Sequence, residues 1–164
     1  MSNRIIDEAL VREAIKLAQP TVAAILAHNG ATWGPKWVTG RVMAPGLETD
    51  KFEFEFSSDG PKEEWNSGWG DPLRFYDVAE KKLAVAEREK TSTSVVVATR
   101  AWCLEEGEYL FPGGVHRDGI SVSASGAKGR ADEAIAEVVL SLIIMLANLK
   151  TDLRIEYKQT KIMA

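Results

Sequence analysis

The chain has a single cysteine, Cys103, and two histidines, His28 and His116, in 164 residues. One thiol excludes an intramolecular disulfide and any multi-cysteine zinc or iron–sulfur site. Two imidazoles leave few ligands for a metal enzyme. Nor does any segment concentrate positive charge: 20 basic residues are spread against 24 acidic ones, for a net charge of −4. A nucleic acid or an anionic membrane therefore has no electrostatic footprint to meet. The start, MSNRIIDEAL, lacks the basic residues and apolar run of a secretory signal. The most apolar stretch, residues 138–149, is interrupted by Ser141 and Asn148. It falls short of the roughly 18–20 residues that span a bilayer. These absences predict a cytoplasmic protein with neither a membrane nor a nucleic-acid partner.

What is present is globular. Hydrophobic residues make up 45% and charged residues 27% of the chain, which separates it from disordered sequences. Its length suits one domain, burying roughly 70% of the surface its unfolded form exposes. No repeat or second domain is visible, so residues 1–164 are read as one unit.

Periodicity gives the element order. Ile6, Leu10, Ala14, Leu17 and Ala18 follow a helical period. Pro20 interrupts it, and Asn29-Gly30 supplies a left-handed cap, so residues 5–28 are one kinked helix or two short ones. Residues 37–43 and 51–57 read as an antiparallel hairpin. In the second strand Phe52, Phe54 and Phe56 alternate with charged residues. Asp71-Pro72 opens a helix to about residue 90, with Tyr76, Ala79, Leu83 and Ala86 on one face. The β-branched run of residues 94–103 predicts a strand. Residues 109–117 and 120–124 predict a second hairpin around Asp118-Gly119. A last helix starts at Ala131 and runs to about residue 149. The tail, residues 150–164, alternates and is read as an extra strand or an oligomerisation tail. The expected class is mixed α/β (α+β), a mostly antiparallel sheet packed with helices.

Several short motifs stand in a characteristic order. They are the alanine-rich residues 82–86, Phe111-Pro112-Gly113-Gly114-Val115, Ser125-Gly126 ending a strand, and Asp132-Glu133 with Ala136 opening a helix. In these the chain resembles the GlcG/HbpS-like family (DUF336, the haem-degrading domain), which includes the C-terminal domain of PduO-type proteins. The likeness covers the C-terminal two-thirds well and the remainder by element order. It implies a profilin-like, GlcG-like fold and homo-oligomers, often octameric. It also implies haem or a related tetrapyrrole as a ligand for some members.

Candidate site residues follow, each with a bland counterpart. His116 follows Gly113-Gly114 and precedes Arg117. Glycines admit a ligand close to the backbone, and an imidazole beside a guanidinium can hold a carboxylate or move a proton. The alternative is a solvent-facing histidine near a hairpin tip. His28 ends a helix, where a cation suits the dipole, and with His116 it is a candidate axial haem ligand. Residues 125–130, with Ser125, Lys128 and Arg130, lead into a helix start that can hold an anion or simply turn the chain. Trp65 and Trp69 lie in a long glycine-rich loop that either lids a ligand or pins itself to the core. Lys82 is a cationic partner for such a pocket. Cys103 reads as inert.

The final helix is apolar nearly all round, which predicts a second subunit on its far side. Three functions remain open. The first is a small-molecule binder, with haem as the family-implied cofactor. The second is a cofactor-independent isomerase, hydratase or lyase using His116, Arg117 and Lys82 or Lys128. The third is a structural subunit.

Overall fold

The alternation of Phe52, Phe54 and Phe56 is realised as an edge strand whose aromatic side all turns inward. The fold around it is seen in a computed structural model that describes residues 5–32, 37–47, 52–57 and 73–159. Its helices are α1 (Glu8–Ala27), α2 (Leu73–Glu89), α3 (Thr93–Arg100) and α4 (Gly129–Arg154). Its strands are β1 (Trp37–Met43), β2 (Phe52–Ser57), β3 (Gly114–Arg117) and β4 (Ile120–Ser125). The strands form one antiparallel sheet in the order β2-β1-β4-β3, which confirms the mixed α+β class. Both expected hairpins are present, and the second turns at Asp118 and Gly119, both with positive φ.

Each face of the sheet carries helices. Val38, Val42, Phe52, Phe54, Phe56, Val122 and Ala124 share one core with α1 and α4. Gly40 pairs with Phe54 across the hairpin, and a Cβ at Gly40 would lie 2.1 Å from the Phe54 ring. Glycine is what lets that ring lie flat on the sheet. On the opposite face α2 packs Val78, Ala79, Leu83 and Ala86 inward, and Ser123 donates to the Ala79 carbonyl at 2.7 Å. Serines alternating along β4 are thus the sheet's contact with α2, and its alternate valine and alanine face the larger core.

Four expectations change. Residues 94–103, β-branched and read as a strand, instead lie in α3 and a 3-10 turn at Ala101–Cys103. Thr93 and Val96 are buried one turn apart, and the Thr93 hydroxyl accepts from the Gly114 amide at 3.0 Å. Tertiary packing outweighs β propensity there. Of residues 109–117 only 114–117 are strand, because Pro112 lacks a donor and Gly113 has φ +133. The tail to residue 159 is helical, continuing α4 into a short π turn at residues 155–159, and the described tail holds no strand. Finally, α4 runs 26 residues, so by length and composition it is long and apolar enough to cross a membrane. In this fold one stripe of it lies on the sheet and α1. Pro20, exposed, is tolerated inside a continuous α1 that Asp7 caps by accepting from the Leu10 amide at 2.9 Å.

Candidate functional site

Two helices each carry one charge on an otherwise apolar stripe. On α2, Lys82 falls in the row of Val78, Ala79, Leu83 and Ala86. On α4, Asp132 falls in the row of Ile135, Ala136, Val139 and Leu140. The fold brings them together across the end of β4. Lys82 Nζ lies 3.0 Å from Asp132 Oδ2, with both side chains 3% exposed, and also donates to the Ala124 carbonyl at 3.0 Å. Asp132 Oδ1 accepts from the Ala127 amide at 2.9 Å, so the carboxylate also pins the turn between β4 and α4. Burial pushes the Asp132 carboxyl up to about 6, against the lowering effect of Lys82 and the Ala127 and Gly126 amides.

This pair sits in the wall of a cavity of about 220 Å³. Phe75 and Val78 of α2, with Phe111, Ala127 and Gly129, make the wall largely apolar. Arg74, Lys82, Ser125 and Asp132 are its polar members. Gly113 stands directly beside the ammonium: a Cβ there would lie 2.6 Å from Lys82 Nζ and 2.7 Å from the Ala124 carbonyl. Gly114 is equally committed, since a Cβ would lie 2.5 Å from the Lys82 carbonyl. The two glycines read from the sequence as admitting a ligand in fact admit the Lys82 side chain and the backbone of α2.

The other candidates go elsewhere. Lys82 and Ser125 line the cavity, but Lys128 does not; it occupies the N-cap position of α4, and its amide donates to the Ala31 carbonyl at 2.8 Å. His116 pairs across the hairpin with Ser121, which is about 13 Å along β4 from Ser125. Its Nδ1 lies 2.8 Å from the Ser121 hydroxyl, which donates to Glu87 Oε2 at 2.8 Å. With that hydroxyl proton spent on Glu87, Nδ1 carries the hydrogen in the neutral ring, which leaves Nε2 as the acceptor. Burial works to raise the Glu87 carboxyl. Hydrogen bonds from Lys90 and Ser121, with the Lys90 and His116 charges, bring it below its ordinary range. Arg117 turns away to Glu137 and Ser141 of α4, each at 3.0 Å. The expected pocket of His116 with Arg117 and Lys82 is therefore not assembled. His28 caps α1, exposed, near Ala31. It lies by Ala31, whose carbonyl meets Lys128 beyond the end of β4, whereas His116 pairs with Ser121 about 13 Å back along that strand from Ser125, so the two do not converge on one iron. Trp65 and Trp69 lie outside the described residues.

The residues of the cavity do not fit the haem that the family resemblance implies. None of the described residues lining it is a histidine, cysteine, methionine or tyrosine, the usual axial ligands. With Arg74, Phe75 and Val78, Asp132 is a site residue that composition and spacing do not single out, known from the sequence only as part of a motif. Its signal is its place on the core stripe of α4.

Comparison with known proteins bears on the fold. No family model matches the chain, and no curated protein matches it significantly. Among solved structures it is similar to the crystal structure of Klebsiella pneumoniae protein ORFY, a DUF336 protein. The TM-score is 0.52 at 16% identity, over 83% of this chain and 88% of that one. At that identity the likeness establishes a shared fold, and it supports the DUF336/GlcG-like resemblance carried by the motifs above.

Proposed function

We propose that this chain is a small-molecule-binding protein of the GlcG/HbpS-like family, taking a compact, mostly apolar ligand into the cavity between α2, β4 and α4. One observation carries this reading: a buried ammonium–carboxylate pair forms part of the wall of an apolar cavity. Ligand sites combine apolar walls with a few fixed polar groups in this way. The volume lies below the roughly 300–1,000 Å³ of sites for drug-sized ligands, which points to a single ring or a short branched chain. A second reading, a cofactor-independent enzyme at the same cavity, is favoured by Asp132, whose carboxyl at about 6 can both give and take a proton near neutrality. On the outer side of α4, exposed Met145, Leu149 and Leu153 support the self-association expected from the sequence.

A fragment screen by protein-observed NMR tests the binding reading. Hits should shift the amides of Phe75, Val78, Ser125 and Ala127 and raise the melting temperature by mass action. Ala127→Leu, which fills the cavity, should weaken them. Hits that shift only residues elsewhere would overturn the assignment of the cavity.

A further inference from the structure

The wall of the cavity also indicates what polar group its ligand carries. An ammonium has three N–H donors. Lys82 directs two of them to the Ala124 carbonyl and Asp132 Oδ2, both at 3.0 Å. Among the described residues the third has no partner, although Lys82 lines the cavity. A ligand oxygen accepting that hydrogen satisfies the last unmet group of a buried cation.

Charge decides which kind of oxygen. Lys82 and Asp132 form a pair with no net charge, enclosed by Phe75, Val78 and Phe111, and Arg74, the other charged side chain of the wall, already bonds Tyr109. A carboxylate ligand would bring a second anion to within a few ångströms of the Asp132 carboxylate in a poorly screened setting, and like charges there repel strongly. A neutral carbonyl oxygen accepts the same hydrogen bond and brings no charge. A hydroxyl brings a donor as well, and with both Asp132 oxygens engaged its hydrogen would have to go to Ser125, so a carbonyl makes the smaller demand on the wall.

We propose that the cavity recognises a small neutral carbonyl compound, a ketone, aldehyde or ester on an apolar skeleton, whose oxygen accepts the third N–H of Lys82. This rests on the cavity reading above and adds the ligand's chemical class to it.

Three probes of matched shape test it on the intact chain: acetophenone, ethylbenzene and benzoate. Acetophenone should bind about tenfold or more tightly than ethylbenzene, as hydrogen bonds to a charged donor do. It should also outcompete benzoate. Its carbonyl stretch should fall to lower frequency when bound, a reading taken on the unaltered protein and so independent of how well variants fold. Lys82→Met should erase the preference over ethylbenzene, and Asp132→Asn should raise benzoate affinity by removing the opposing anion. Equal binding of ethylbenzene and acetophenone, or an unshifted stretch, overturns the carbonyl assignment and leaves the cavity reading standing. Tightest binding by benzoate, with proton uptake as Asp132 is neutralised, does the same. Binding of none of the three at millimolar concentration removes both.

Discussion

Lys82 and Asp132, 50 positions apart in the chain, meet at 3.0 Å with almost no exposure, joining α2 to the first turn of α4. Burying both charges costs desolvation that their attraction only partly offsets, as the raised Asp132 carboxyl records. Their coupling is nonetheless favourable. In a double-mutant cycle of Lys82→Met and Asp132→Leu, followed by denaturant unfolding at pH 7, the coupling should be about 1–3 kcal/mol. The double variant should be at least as stable as either single one, because two apolar side chains replace two desolvated charges. A coupling indistinguishable from zero would mean the contact contributes nothing.

A second expectation separates backbone strain from collision. Gly113 and Gly107 both have positive φ, at +133 and +86. A Cβ added at Gly107 would meet nothing within 4 Å, whereas one at Gly113 would run into Lys82 Nζ. Gly107→Ala should cost only the conformational penalty, about 1–2 kcal/mol. Gly113→Ala should cost clearly more, and it should also disturb Lys82, seen as a changed Nζ resonance. Equal melting temperatures for the two variants would show that both the ammonium and the Ala124 carbonyl, 2.7 Å from the added Cβ, can move aside.

Much of this fold is legible in the sequence because it follows local rules. Alternating phenylalanines place β2, and Asp118-Gly119 places the β3–β4 turn. Where tertiary contacts decide, local rules fail. Thr93 to Thr99 carries β-branched side chains, yet Thr93 is held by Gly114 and Arg100 reaches Glu89 at 3.2 Å, so the segment is helical. The site is half legible. Lys82, Ser125 and Gly113 read as pocket residues, but nearness in sequence groups His116 and Arg117 with them. A strand separates neighbours onto opposite faces, and Arg117 accordingly turns to α4 while His116 meets Ser121 and Glu87.

Stability should carry the signature of Asp132 in an unusual direction. Its carboxyl stands at about 6 in the fold and at 3.8 unperturbed, so between about pH 4 and pH 6 the folded chain retains a proton that the unfolded chain has released. Stability from this group is therefore lost as pH rises through that window. Asp7, Glu87 and Glu108 are shifted downward and act oppositely, losing their contribution as pH falls. The difference between wild type and Asp132→Asn isolates the first effect. Wild type should lose about 2 kcal/mol relative to the variant between pH 4 and pH 7. The carboxyl carbon of Asp132 should titrate with a midpoint near pH 6, and a midpoint near 4 would contradict the desolvation described.

The placement of His116 makes a last prediction, which separates the cavity from the histidine that the sequence singles out. Glu87 holds Ser121, Ser121 holds His116 Nδ1, and the cavity begins about 13 Å further along β4. Among the described residues, His116, Ser121 and Glu87 are not part of the cavity wall. His116→Ala should leave the acetophenone dissociation constant within about twofold of wild type, whereas Lys82→Met should raise it about tenfold. Titration with haem should give no His116-dependent shift of the Soret band, because the described cavity wall offers no axial ligand and His116 lies outside it. A Soret band that is present in wild type and absent in His116→Ala would place a tetrapyrrole on the β3 edge of the sheet, and would make the cavity at Lys82 a second, separate site.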